Sequence, residues 1–233
     1  MVDVISRFEE RVVEIDSYYN VLDLLTDPRV DIVKRYQRYS KVVSLDNEAL
    51  KILKSTCFLL LYNLIESTIR DSFSNLYDKI NTEPGKHDDY NEQFQRLWLD
   101  QHFKIADPYS SNQNTYKNIV SEIIDKIISE SPLSLDSNKL PISGNLDARR
   151  IRKLFSDHNI KLKVHHKAFG GGELRTVKDN RNDLAHGSIS FTDCGQQYTI
   201  GQLQNIKKRT IIYLRSTLRY LRKFSDNRGY AAI

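Results

Sequence analysis

Cysteine is nearly absent from the sequence, which limits the covalent and metal chemistry open to it. The 233 residues include only two cysteines, Cys57 and Cys194. Two thiols without a repeated spacing support neither a disulfide framework nor a zinc site. Cys57 lies in an apolar run and is expected in the core. This cysteine usage fits a reducing compartment, so we expect a cytoplasmic protein.

Long apolar runs are missing as well. The longest, residues 57–65, is interrupted by Tyr62 and Asn63. It falls far short of the ~20 residues that a membrane span needs. The first residues, MVDVISRFEE, lack the basic segment and following apolar stretch of a signal peptide. We therefore expect no membrane partner.

Two features that could suggest ligand-binding motifs are incomplete. The glycines at 170–172 are not followed by the Gly-Lys-Ser/Thr of a phosphate-binding loop, so we expect a flexible loop there. His165 and His166 are adjacent, so their side chains point in different directions, and no acidic or thiol partner stands at metal-ligand spacing. We predict no metal site, and no pattern in the sequence indicates a cofactor.

Charge is modest overall but unevenly distributed. The sequence is 39% hydrophobic and 28% charged with a net charge of +5, which is typical of a globular protein. From Thr199 onward, eight basic residues face only Asp226, so this segment carries +7 and the rest of the chain −2. Such asymmetry permits a polyanion partner. A solvated helix face explains it equally well, and both interpretations stay open.

Apolar periodicity predicts an all-α protein with about seven helices in an antiparallel bundle. Residues 2–25 carry a clear helical stripe and residues 29–43 a weaker one, so residues 1–43 are predicted to form a helical hairpin. The core bundle is expected over residues 45–225 of a single domain. Its longest helix should run from about residue 44 to 80 with a wide apolar face, which places it at the centre. Residues 188–198 are predicted to be irregular, before a last helix.

The most informative stretch is residues 178–187, KDNRNDLAHG, in which Arg181, Asn182 and His186 form an R-N-x-x-x-H string. Arginine is always charged and forks onto phosphate oxygens. Histidine can take and return a proton near neutral pH. Together they could cleave a phosphodiester without a metal, with His186 deprotonating a ribose 2′-OH and Arg181 holding the charge that builds on the phosphate.

Spacing alone also allows a structural interpretation of this string. Leu184 and Ala185 could pack inward, with His186 near the last helix carbonyls and Gly187 as the left-handed cap. Helix geometry adds a constraint, because positions five apart point about 140° away from each other. Arg181 and His186 then converge on one phosphate only if the helix ends near His186 or a second copy of the chain supplies partners.

Three blocks of this sequence together resemble the MAE-type branch of the HEPN superfamily (higher eukaryotes and prokaryotes nucleotide-binding domains). These blocks are FLLLYNLIESTIR at 58–70, ISGNLDARRIRKL at 142–154 and the R-N-x-x-x-H string, which resembles the family's R-x4–6-H motif. The resemblance covers roughly residues 45–225. It implies a HEPN helical bundle that acts as a homodimer, with the two motifs meeting across a two-fold axis.

The resemblance further implies a metal-independent endoribonuclease that leaves a 2′,3′-cyclic phosphate, with RNA as its partner. In that interpretation Asn182 orients His186 or binds the phosphate, and Lys178 and Arg175 follow the RNA backbone. Glu66 either pairs with Arg70 or orients the motif. We expect a toxin or effector of a bacterial defence or toxin–antitoxin system, with a possible antitoxin partner. The alternative is a non-catalytic HEPN module that binds nucleic acid or a partner and is associated with a nucleotidyltransferase.

Overall fold

Helices make up 72% of the residues that the structure describes, which confirms the all-α bundle predicted from the sequence. The computed structural model describes residues 1–43, 45–83, 85–103, 113–142 and 144–232. Within these ranges there are eight helices rather than about seven. They are α1 (Val2–Thr26), α2 (Asn47–Thr82), α3 (Glu92–Phe103), α4 (Gln113–Ile128), α5 (Ala148–Asp157), α6 (Gly172–Ala185), α7 (Phe191–Gln196) and α8 (Ile200–Asp226).

The central position predicted for the longest helix is confirmed, since α1, α6, α7 and α8 all pack on α2. Its first turn is capped by Asp46, whose carboxylate accepts from the backbone N–H of Glu48 at 3.2 Å. α2 is the one helix of the described residues long and apolar enough to cross a membrane, and half of its apolar window is buried inside the fold. Its buried face packs against the other helices of the bundle.

The prediction of a second N-terminal helix over residues 29–43 is wrong. After α1, the chain forms the antiparallel strands β1 (Ile32–Arg35) and β2 (Ser40–Val43), joined at the tip by a Tyr36 N–H to Tyr39 carbonyl bond of 2.8 Å. Half of the residues in each strand are β-branched, namely Ile32, Val33, Val42 and Val43, and such residues favour this conformation. Cations on both faces hid the strand alternation in the sequence. Residues 32–43 are called the β-hairpin below.

The glycine run is ordered rather than a flexible loop, because it forms the start of the motif helix. Residues 166–171 make a 3₁₀ helix that leads directly into α6. Gly171 has a left-handed φ of 82°, and a Cβ there would lie 2.5 Å from the Tyr213 ring. Only glycine fits this junction, so the run fixes where α6 begins.

Residues 191–196, predicted to be irregular, form the short helix α7. The Ser190 hydroxyl accepts from the Asp193 N–H at 3.0 Å and caps it. Gly195 lies against the backbone of α2, where a Cβ would stand 1.8 Å from the Lys51 carbonyl oxygen. A six-residue helix held by such a close approach has too little periodicity to be recognised from sequence.

Candidate functional site

The motif helix α6 ends at its histidine. His186 is the C-terminal cap residue, and its backbone N–H donates to the Asn182 carbonyl at 2.9 Å. Gly187 follows with a left-handed φ of 69°, and Leu184 is buried, as the structural interpretation expected, whereas Ala185 is exposed. The His186 imidazole is exposed and makes no hydrogen bond within the described part of the chain. The helix therefore fixes the backbone of His186 and leaves its ring free.

Arg181 is half-buried and held at one side of its guanidinium. Nη1 donates to the Gly144 carbonyl at 3.3 Å and to Oδ1 of Asn182 at 2.9 Å. The guanidinium carbon lies 4.4 Å from the centre of the Tyr62 ring, a cation–π contact. Nε and Nη2 have no hydrogen-bond partner among the described residues. The guanidinium is thus positioned with donors left over for a ligand oxygen.

Asn182 contacts the arginine of the motif rather than the histidine. Its Oδ1 accepts from Arg181, and its Nδ2 donates to Oδ1 of Asn145 at 2.6 Å. Both polar ends of the amide are therefore engaged on the Arg181 side. No side-chain contact from Asn182 to His186 occurs among the described contacts; the Asn182 amide contacts Arg181 and Asn145 instead.

The three sequence blocks that carry the family resemblance meet at this point. The second block joins the first where the Leu146 N–H donates to the Tyr62 hydroxyl at 3.1 Å and Arg70 Nη2 donates to the Ile142 carbonyl at 3.3 Å. It joins the motif through Gly144 and Asn145. Segments far apart in sequence thus build one environment around Arg181.

Arg181 faces an open cleft of about 430 Å³ along α2. Glu66 lines the same cleft and also pairs with Arg70 at 2.8 Å. The expected pair with Arg70 and the expected place near the motif arginine therefore occur together. The remaining lining residues come from α2: Leu59, Tyr62, Asn63, Ser67, Arg70 and Asp71.

Tyr62 is a site residue that the sequence did not single out, although it lies four positions before Glu66 on the same face of α2. Burial raises the pKa of the Tyr62 hydroxyl, and the nearby Glu66 carboxylate adds to that rise. The Leu146 N–H and Arg181 act in the opposite direction on the same pKa. The hydroxyl therefore stays protonated near neutral pH.

The two expected RNA-tracking cations differ in availability. The Lys178 side chain is 19% exposed and lies 2.8 Å from Oδ1 of Asp179 and 3.9 Å from Oδ2 of Asp147. Arg175 is 80% exposed, and its pairing with Asp179 is looser at 3.4 Å. The structure thus leaves Arg175 open to solvent and engages Lys178 within the fold.

Of the two catalytic candidates, Arg181 lines the cleft on α2 and His186 does not. For positions five apart on an ideal helix, geometry predicts directions about 140° apart. Within the described ranges there is no group of three or more His, Cys, Asp or Glu side chains that could hold a metal ion.

Comparison with known protein families gives a match over nearly the whole chain. A family model described as HEPN_MAE_28990, of the HEPN type, matches residues 3–230. No curated protein and no solved structure matches the chain. The matched region extends beyond residues 45–225 and includes α1 and the β-hairpin.

Proposed function

Because the chain belongs to the HEPN_MAE_28990 family of HEPN domains, we propose that it is a metal-independent endoribonuclease. HEPN domains are generally ribonucleases or nucleotide-binding modules. One observation carries the choice of a ribonuclease. The motif presents an anchored guanidinium with open donors at Arg181 and an unbonded, exposed imidazole at His186. These are the two groups that cleavage through a 2′-OH requires.

The proposed reaction is an internal transfer of the phosphate. The His186 imidazole takes the proton of a ribose 2′-OH, and the 2′ oxygen attacks the adjacent phosphorus. The bond from phosphorus to the 5′ oxygen breaks, and that oxygen receives a proton from the imidazolium. Arg181 stabilises the charge on the non-bridging oxygens. The products are a 2′,3′-cyclic phosphate and a 5′-hydroxyl, so DNA, which has no 2′-OH, is not cleaved.

Asn182 and Tyr62 act in this scheme as positioning residues. Asn182 holds Arg181 through the 2.9 Å bond to its Oδ1, and Tyr62 supports the guanidinium with its ring face. Glu66 orients Arg70 and shapes the cleft. Arg175, which is exposed, supplies a backbone contact more readily than Lys178.

A homodimer completes the proposed site. Two-fold symmetry is the commonest arrangement of oligomers, and it allows Arg181 of one chain and His186 of the other to face one phosphate. A ribonuclease active in its own cytoplasm also damages cellular RNA. The proposal therefore includes a toxin or effector role in bacterial defence or toxin–antitoxin biology, with an inhibitory antitoxin partner that could be of the nucleotidyltransferase type.

The first experiment is cleavage of a mixed cellular RNA pool in EDTA. Wild type should produce fragments that end in 2′,3′-cyclic phosphate, and His186→Ala should be slower by at least about 100-fold, the lower range for general acid–base catalysis. His166→Ala is the matched control, because His166 is also exposed and lies outside the motif. Equal cleavage by wild type and His186→Ala would overturn the catalytic assignment. No cleavage by wild type would favour the non-catalytic binding module.

A second experiment tests whether the site is shared between chains. Arg181→Ala and His186→Ala are each inactive alone, but a mixed dimer keeps one site with both residues if the site is shared. An equimolar mixture should then recover about a quarter of wild-type activity, since half of randomly paired dimers are mixed and each has one intact site. A mixture as inactive as its components would place both residues in sites formed within one chain.

A further inference from the structure

The β-hairpin concentrates positive charge that the fold does not use. Its twelve residues contain Lys34, Arg35, Arg38 and Lys41 and no acidic residue. All four side chains are exposed. None of the four has an ion-pair partner among the residues that the structure describes, whereas Arg29, just before the β-hairpin, pairs with Asp27 at 2.8 Å.

The strand register makes this charge unfavourable for the isolated protein. Lys34 and Lys41 stand directly opposite each other across β1 and β2. Like charges in such a cross-strand pair are destabilising. The two strands pair with each other and lean on the bundle mainly at their base, around Ile32 and Val43. A two-stranded hairpin of this kind is marginally stable alone. A bound polyanion would stabilise it by neutralising the two lysine charges.

An aromatic pair sits at the tip on the same face as the lysines. Tyr36 and Tyr39 stack with ring centres 4.5 Å apart and planes 19° apart, and they remain 42% and 62% exposed. Lys34 Nζ lies 5.3 Å from the Tyr36 ring centre. Successive residues on one strand face are about 7 Å apart. One face of the β-hairpin therefore offers a stacking surface beside a pair of ammonium groups.

We propose that the β-hairpin is a binding arm for single-stranded RNA, in which Lys34, Lys41, Arg35 and Arg38 contact phosphates and an unpaired base stacks on the exposed tyrosine pair. Stacking on aromatic faces next to cations is how proteins hold single strands without sequence preference. Bases in a duplex are already stacked, so double-stranded RNA should bind less well. This inference rests on the proposed function, because the β-hairpin would hold the RNA substrate at a surface separate from the motif.

Binding is measured by fluorescence anisotropy with a labelled single-stranded oligoribonucleotide whose 2′-hydroxyls are O-methylated. This probe cannot be cleaved through a 2′-OH, so failure to bind and failure to cleave are observed separately. The charge variant carries Gln at positions 34, 35, 38 and 41. The matched control removes the same charge from exposed cations elsewhere: Arg7→Gln, Lys117→Gln, Lys208→Gln and Lys223→Gln.

The charge variant should bind at least about 10-fold more weakly at roughly 100 mM salt, and the slope of log affinity against log salt should fall by up to about 3. The control should keep the wild-type slope. A second variant, Tyr36→Ser with Tyr39→Ser, should lose at least about 5-fold in affinity with an unchanged slope, because it removes stacking and no charge. Circular dichroism and size-exclusion chromatography confirm that each variant keeps its fold and oligomeric state.

Three results would overturn the binding arm. The first is an unchanged affinity and salt slope in the charge variant. The second is an equal loss in the matched control, which would mean that net charge alone drives binding. The third is a hairpin-dependent change in dimerisation, or in binding to vesicles of anionic lipid, without a change in RNA affinity. That result would assign the surface to a protein or membrane partner instead.

Discussion

The β-hairpin and α8 are both rich in cations, but only α8 neutralises most of its charge within the fold. Lys207 pairs with Asp16 at 2.7 Å, Arg209 with Glu173 at 2.5 Å and Arg215 with Glu9 at 2.7 Å. The four cations of the β-hairpin have no such partners in the described chain. The number of charges along the sequence therefore does not show which cations are neutralised, whereas the partners of each charge do.

Most of the C-terminal positive charge is neutralised within the fold. The sequence assigned +7 to the segment from Thr199 onward and left open a polyanion partner or a solvated face. In the structure, Arg222 also pairs with Asp226 and Arg228 with Glu83, so five of the eight cations have acidic partners. Much of this charge holds α8 against α1 and α6. Lys208, Arg219 and Lys223 have no ion-pair partner in the described chain, but they are spread along α8, whereas the β-hairpin holds four such cations within twelve residues.

The largest expected effect comes from removing the β-hairpin. Replacing residues 32–43 with a short Gly-Ser linker should weaken binding of single-stranded RNA by about 100-fold, because stacking and phosphate contacts are lost together. The melting temperature should change little, since the strands pair mainly with each other. Anisotropy and thermal unfolding measure the two quantities. A large fall in melting temperature on deletion would contradict the expectation that the bundle folds without the β-hairpin.

A cation of α8 should show the opposite pattern. Lys207→Met removes the pair with Asp16 and the 4.5 Å cation–π contact with the buried Tyr19 ring. We expect the free energy of unfolding to fall by about 1–2 kcal/mol. RNA affinity should stay the same. Lys208→Met is the control, because Lys208 is the exposed neighbour and should change stability by less than about 0.5 kcal/mol. Weaker RNA binding by Lys207→Met would remove the distinction between the two regions.

Lys41→Glu should separate stability from binding within the β-hairpin itself. The new carboxylate would stand opposite Lys34, and an opposite-charge pair across strands contributes about 0.2–1 kcal/mol. Hydrogen exchange of the strand amides should therefore slow, while RNA affinity falls about 5-fold from the lost charge. Lys41→Gln provides the intermediate case. An affinity that rises together with hairpin stability would show that order, rather than charge, governs binding.

The smallest effect is expected for an exposed pair within α8. Arg222 and Asp226 stand four apart with Nε and Oδ2 at 3.5 Å, and both side chains are more than half exposed. Such pairs contribute about 0.3–0.5 kcal/mol. Arg222→Gln should therefore shift chemical denaturation only slightly and leave RNA affinity unchanged. A marked loss of RNA binding would indicate that α8 also contributes to the nucleic-acid surface.

Local sequence pattern predicted one part of the motif's structure, and tertiary contacts decided the other part. Helix periodicity and Gly187 predicted that the motif helix ends at His186, and the structure confirms this end. The partners of Arg181 lie at positions 144 and 62. No local rule connects those positions to residue 181, so the sequence did not predict the surroundings of Arg181.

The prediction for the N-terminal segment was wrong for a different reason. The segment of residues 29–43 is short and rich in cations, and its apolar residues fit both the helical and the strand period. A helical and an extended pattern therefore compete on nearly equal terms. Pairing between β1 and β2 decided the outcome, and such pairing is a contact between segments rather than a property of either one.

The sequence by itself determined the all-helical bundle, the central place of α2 and the position of the motif at the end of α6, because helix periodicity, caps and glycine act within a few residues. Only the tertiary structure decided which charges are neutralised, that Arg181 lies over Tyr62 in an open cleft and that the β-hairpin stands with its cations unpaired. Those outcomes depend on which distant segments come within about 4 Å of one another, and a linear pattern does not carry that information.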